Sequence, residues 1–86
     1  MTAQGWLLLS RPGCHLCERL HEAAQPVARE LGIALEVVDV DSDPVLAARW
    51  GNEIPVLLDE AGRVWARALD PPDRVARRLR RARPGG

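Results

Sequence analysis

Apolar residues follow two rhythms along this chain. Trp6-Leu7-Leu8-Leu9 is an unbroken run, closed by Ser10-Arg11-Pro12-Gly13. A short apolar run ended by turn residues reads as a strand over Trp6 to Ser10. Lack of alternation predicts cover on both faces and a central place in the sheet. Pro12 and Gly13 supply the turn. From His15 to about Leu31 the spacing changes. Leu16, Leu20, Ala23, Ala24, Val27 and Leu31 fall at helical intervals, with Glu18, Arg19, Glu22 and Arg29 on other faces. Gly32 is the expected stop. Pro26 removes one intrahelical hydrogen bond, which predicts a kink or interruption near Glu22.

The second half is punctuated by proline and aspartate. Ile33 to Val40 reads as a second strand. Asp43 and Pro44 then start a short helix, as N-cap and first helical residue, running to Trp50 and stopping at Gly51. Ile54-Pro55-Val56-Leu57-Leu58 is a third strand opened by proline, where a missing N–H is tolerated. Asp59 to Gly62 make a hairpin turn into a fourth strand, Arg63 to Ala66, antiparallel to the third. Asp70 and Pro71 begin the last helix, with Val75, Ala76, Leu79 and Ala82 on its apolar face. Pro84-Gly85-Gly86 reads as a frayed end. The order βαβαββα predicts an α/β fold: a four-stranded mixed sheet with helices on its faces.

Bulk properties narrow the function classes. With 86 residues there is room for one small domain. A formal net charge of zero gives no global pull toward nucleic acid or membrane. No apolar run could span a bilayer, and the N-terminal one is too short for a secretory h-region. Two closely spaced cysteines do not make a secreted disulfide scaffold, so a reducing cytoplasmic setting and a monomer are the expectations. All 12 basic residues are arginine, and Arg74, Arg77, Arg78, Arg80, Arg81 and Arg83 crowd the last helix. The charged residues between 36 and 60 are mostly acidic. The plain reading is a solvated basic face that pairs with the acidic middle. The sharper one is a salt-sensitive patch for nucleic acid or an acidic partner.

Candidate chemistry centres on Cys14-His15-Leu16-Cys17. Cys14 falls at the predicted helix N-terminus, where unpaired N–H groups and the helix dipole favour a thiolate. Such a position lowers a thiol pKa from about 8.5 to roughly 3.5–7.5. Cys17 lies one turn on, near enough to close a disulfide with Cys14. That arrangement suits a nucleophilic thiol and a resolving thiol in thiol–disulfide exchange. His15 either tunes Cys14 with positive charge or simply faces solvent. Cys14, Cys17 and His21, at i, i+3 and i+7, also allow a zinc or bridging iron–sulfur reading, but no clear fourth ligand follows, so no metal site is assigned. Trp6 and Trp65 are expected to pack in or beside the sheet, and Trp50 in the core unless it lines a groove near Pro55. Glu53 is either an exposed turn residue or a contact near that proline.

The CxxC between first strand and helix, Ile54-Pro55 at the third strand and the βαβαββα order together resemble the thioredoxin fold. Within it, the chain is similar to the short glutaredoxin-like branch. The string Ser10-Arg11-Pro12-Gly13-Cys14-His15-Leu16-Cys17 resembles a small group of bacterial glutaredoxin-like proteins. The likeness runs from about Trp6 to Arg81. It implies that Cys14 is the nucleophile and Cys17 the resolving thiol, and that Pro55 is a cis-proline facing the disulfide. It further implies that Ile54 offers backbone groups to an extended substrate and that Arg11 receives a glutathione carboxylate. Two stretches depart from glutaredoxins. His15-Leu16 replaces Pro-Tyr, and Arg67-Ala68-Leu69-Asp70 stands where a glycine pair precedes aspartate, so only Asp70 keeps the glutathione-binding pattern. The tryptophan that precedes the motif in thioredoxins is absent as well. The implied activity is a thiol–disulfide oxidoreductase acting on protein or low-molecular-weight disulfides. It would need no resident cofactor and would draw electrons from glutathione or a thioredoxin-reductase-type donor. The alternative is a non-catalytic module of the same fold that binds a metal, a cluster or a protein partner.

Overall fold

A computed structural model describes residues 5–68 and 70–81 of the chain. The elements run β1 (Gly5–Ser10), α1 (His15–Leu31), β2 (Ala34–Asp39), α2 (Pro44–Trp50), β3 (Val56–Asp59), β4 (Val64–Ala66) and α3 (Pro72–Arg81). This is the βαβαββα order that the sequence predicts. The strands form one mixed sheet ordered β2-β1-β3-β4. β1 is parallel to β2 and antiparallel to β3, and β4 is antiparallel to β3.

Strand alternation divides the core into two layers. Trp6, Leu8 and Leu57 pack with Leu20, Ala24, Val27 and Ala28 of α1 and with Val75 and Leu79 of α3. On the opposite face, Leu9, Val56 and Leu58 meet Trp50 at the end of α2. Central β1 is therefore covered on both sides except at Leu7, which is 38% exposed. The α2 face has a single seven-residue helix over it, and that cover stops short of Leu7.

Helix α1 does not break at Pro26. Pro26 and Glu22 are both exposed, so water can solvate the carbonyl that loses its N–H partner. Its C-terminus closes on Gly32, whose φ of 71° is left-handed and suits glycine. The N–H groups of Gly32 and Ile33 return to Arg29 and Ala28 carbonyls at 3.3 and 2.8 Å. Asp43 caps α2, accepting from the Val45 N–H at 2.9 Å. Gly51 ends α2 for a different reason: a Cβ there would lie 2.5 Å from the Ala47 carbonyl oxygen.

Several boundaries differ from expectation. Val40 leaves β2 and begins a 3₁₀ turn, Val40–Ser42, with Asp39 Oδ1 accepting from the Asp41 N–H at 2.9 Å. β3 begins at Val56, after Ile54-Pro55 rather than with it. Asp70 is not the N-cap of α3. Its carboxylate folds back to accept from the Arg67 N–H at 2.9 Å, and Pro71 supplies the first helical carbonyl, to Val75 N–H at 3.0 Å. Among the described residues, the α3 arginines do not pair with the acidic middle: Arg80 takes Glu30 of α1 at 3.2 Å and Arg78 lies 3.7 Å from Asp70. Ala82, Arg83 and the tail 84–86 lie outside the described residues.

The β3–β4 hairpin hangs on Asp59. One carboxylate oxygen accepts from the N–H groups of Ala61 and Arg63, both at 2.9 Å, and the other from Trp65 Nε1 at 3.0 Å. Burial alone would raise this carboxyl, but the donors from Arg63, Trp65 and Ala61 outweigh it and hold its pKa below the ordinary value. A depressed folded-state pKa gives stability that is present above the unfolded value of about 3.9 and is lost as pH falls through the folded value. Asp59→Ala should cost about 1–3 kcal/mol at neutral pH. Urea midpoints measured from pH 7 down to 3 should show wild type losing part of its advantage over the variant at the acid end.

Candidate functional site

The chain leaves β1 at Ser10, turns through Arg11 to Gly13 and enters α1 at His15. Gly13 takes a φ of 79°, which suits the turn, and the Cys14 N–H closes it on the Arg11 carbonyl at 3.2 Å. Cys14 is the N-cap of α1, with extended backbone (φ −90°, ψ 106°). Its Sγ accepts from the Cys17 N–H at 3.2 Å. In the cap role usually filled by an oxygen there stands a sulfur. Cys14 and Cys17 are joined as a disulfide with Cα atoms 5.3 Å apart. Cys14 is partly exposed, whereas Cys17 is only 4% exposed. The outer sulfur is the one an incoming disulfide can reach.

Ile54-Pro55 is a cis peptide bond, as the resemblance implies. The β1–β3 register pairs Leu9 with Val56, so Pro55 stands one step beyond that pair, beside Ser10. Both the CxxC turn and the cis-proline thus leave the same end of the central strands. Pro55 is buried and Ile54 half-buried.

The other sequence-selected residues separate into two neighbourhoods. Arg11, Cys14 and Cys17 border an open groove of about 620 Å³ between α1 and β2, with Glu18, His21, Glu22, Val37 and Asp39. Asp70 belongs elsewhere. It lines a hollow of about 390 Å³ with Asn52, Glu53, Arg67 and Ala68. His15 borders neither: its side chain is 93% exposed and sits 3.6 Å from Glu18. Glu53 holds Arg67 at 2.8 Å, and Arg67 lies 6.0 Å from the centre of the Trp50 ring. Trp50 itself is core, 8% exposed. Among the described residues, no three His, Cys, Asp or Glu side chains converge as a metal set.

One partnership escapes sequence reading. Arg11 donates to both oxygens of Asp41, at 2.6 and 3.0 Å. The pair raises the guanidinium's pKa and lowers the carboxyl's, chiefly through the hydrogen bond itself. Asp41 reaches Arg11 because the 3₁₀ turn after β2 folds it back beside the CxxC loop. The acidic string Asp39, Asp41, Asp43 was the available signal, but spacing does not say which of the three bends inward.

A four-stranded mixed sheet flanked by three helices, with a CxxC disulfide at the α1 N-terminus and a cis-proline at the same end of the central strands, defines a thioredoxin-like protein. Residues 6–79 match the glutaredoxin-like domain (DUF836), and the chain belongs to that family. A structural-genomics target from X. campestris is 36% identical, with a TM-score of 0.67, covering 90% of this chain and 92% of its own. The solution structure of a protein from Nitrosomonas europaea shares the fold at a TM-score of 0.69 and 22% identity, covering 85% of this chain and 87% of that one. Uncharacterized proteins of Mycobacterium tuberculosis and Mycobacterium bovis are 38% identical over 56 residues, which is 59% of this chain and 58% of theirs. Among the described residues, no helix is long and apolar enough to cross a membrane.

Arg11 stands three residues before Cys14, and its backbone carbonyl accepts from the Cys14 N–H, so the charge state of the Arg11–Asp41 pair can be tested at the Cys14 sulfur. Asp41→Ala removes a negative charge and leaves the Arg11 cation unneutralised near Cys14, which should favour the thiolate. In the reduced protein, the pH profile of Cys14 alkylation by iodoacetamide should move to lower pH in this variant. An unchanged profile would mean that the pair does not reach Cys14 electrostatically.

Proposed function

We propose that this chain is a thiol–disulfide oxidoreductase that reduces protein or low-molecular-weight disulfides through Cys14 and Cys17. The observation that carries this reading is the cap geometry: the partly exposed Cys14 sulfur sits on the α1 N-terminus and accepts the Cys17 N–H. An N–H donor and the dipole's positive end both favour the thiolate over the thiol. The buried Cys17 is already within bonding reach behind it.

In the reduced protein the Cys14 thiolate attacks one sulfur of a substrate disulfide. A Cys14–substrate bond forms, the substrate disulfide breaks, and the first thiolate leaves. Cys17, after losing its proton, attacks Cys14 Sγ, closes the internal disulfide and releases the second substrate thiolate. Two electrons have then moved from the cysteine pair to the substrate. Pro55 and the backbone of Ile54 supply the edge against which an extended substrate is held. An external dithiol or glutathione restores the reduced pair. Glutathione binding at Arg11 would require its carboxylate to displace Asp41, and Ala68 adds a side chain where the resemblance implies glycine. A thioredoxin-reductase-type donor needs neither. Recycling of this kind suits a monomer in a reducing compartment such as the cytoplasm.

Titration in glutathione buffers, with thiols trapped and intact mass measured, tests the reading. A reversible Cys14–Cys17 disulfide is expected. Cys17→Ser should accumulate a mixed disulfide on Cys14, and Cys14→Ser should lose disulfide reductase activity to background. Thiols that stay reduced across the whole range would instead favour a binding module of the same fold.

A further inference from the structure

The resolving step needs something the cysteine pair does not provide. Cys17 attacks as a thiolate, yet its 4% exposure places the sulfur away from bulk water. Burial in apolar surroundings disfavours the charged form of a thiol. The proton on Cys17 must therefore pass to a nearby base.

The groove between α1 and β2 supplies one. His21 follows Cys17 by four residues, so it projects from the same side of α1 one turn further along. Cys14, Cys17 and His21 all border this groove, and His21 is half-buried there. Among the described residues, His21 has no hydrogen-bond or ion-pair partner. An uncommitted imidazole beside a buried thiol is a different object from His15, which is 93% exposed and faces Glu18. The other charged groups facing the groove are Glu18 and Glu22 from α1, Asp39 from the end of β2, and Arg11 from the turn. Arg11 is held by Asp41 and has no proton to accept. Carboxylates as a class are weak bases at neutral pH, whereas imidazole takes and returns a proton in that range.

We propose that His21 accepts the Cys17 proton during resolution, so that the groove between α1 and β2 serves the second half of the exchange. The inference rests on the oxidoreductase reading. The Cys17 S–H proton moves to the His21 imidazole, directly or through one water in the groove. The Cys17 thiolate then forms the bond to Cys14 Sγ, and the Cys14–substrate bond breaks with its electron pair on the departing sulfur. That thiolate leaves protonated, from the His21 imidazolium or from solvent, and His21 returns to neutral.

A chromogenic aromatic disulfide, dithiobis(nitrobenzoate), separates the two halves. Reduced protein releases one thionitrobenzoate when Cys14 attacks and a second when Cys17 resolves the adduct. In wild type, the second phase should already be fast at pH 7, without needing the alkaline range of a free thiol. His21→Ala should leave the first phase unchanged and slow the second about tenfold or more at pH 7. Its rise should move to the alkaline range of a free thiol, about 8.5 or higher. Free imidazole in the buffer should restore the lost rate, and His21→Gln, which keeps a polar side chain of similar size, should be slowed alike. An unshifted second-phase profile in His21→Ala overturns the assignment while leaving the oxidoreductase reading intact. Absence of any second release in wild type removes that reading and this inference with it.

Discussion

The site depends on one short contact, the Cys17 N–H donated to Cys14 Sγ. An α-helix leaves its first N–H groups without partners, and something must answer them. Here the answering atom is also the sulfur that the oxidoreductase reading makes the nucleophile. Cap and reactive sulfur being one residue, the direction of α1, its packing and the electrostatics at Cys14 cannot vary independently. Packing of Leu20, Ala24, Val27 and Ala28 under Trp6 and Leu8 fixes where α1 begins. β1 in turn is central in the sheet, parallel to β2 and antiparallel to β3. The same strands therefore set the place of the helix start and, through the Leu9–Val56 register, that of Pro55.

Charge pairing around this frame is local. Arg11 closes on Asp41, Arg67 on Glu53 and Arg80 on Glu30. Exposed pairs contribute little to stability. Their effect on the site is to settle which cations remain available. Arg11 sits next to the active loop, yet its guanidinium is already occupied on both sides of a carboxylate. An anionic substrate group arriving there competes with a covalently tethered rival. On the oxidoreductase reading, this would favour substrates recognised through backbone and apolar contacts over those recognised through a carboxylate.

Much of the frame was legible in the residues. The unbroken run at Trp6 to Leu9, the helical spacing from Leu16 to Leu31 and the proline at residue 55 carry strong local signals, and each maps to an element or a backbone feature. The misses share a cause. Asp70 reads as a cap because aspartate before proline usually is one, but the carboxylate had a nearer donor in the Arg67 N–H. Pro26 reads as a break because sequence does not show that its orphaned carbonyl faces water. The Arg11–Asp41 pair spans 30 residues and is created by a 3₁₀ turn, which has no distinct apolar rhythm. Local propensity shows at each residue; the choice between competing hydrogen-bond partners is made by tertiary placement.

The disulfide also divides the site into two environments. Cys14 sits on the outer, solvent-reachable side at the helix end, and Cys17 is buried and borders the groove with β2. Exchange requires opposite properties of the two sulfurs. The first must be ionised and accessible before substrate arrives. The second must stay protonated and shielded until the mixed disulfide exists, or it would compete for substrate. A helix N-terminus meets the first requirement by donating hydrogen bonds, and burial meets the second by disfavouring charge. Burial then creates a need for a base at the moment of resolution. Among the groups bordering that groove, the proposed base is His21, an imidazole with no hydrogen-bond or ion-pair partner among the described residues. The asymmetry of two cysteines three residues apart is thus produced by where α1 begins and which of its faces meets the sheet.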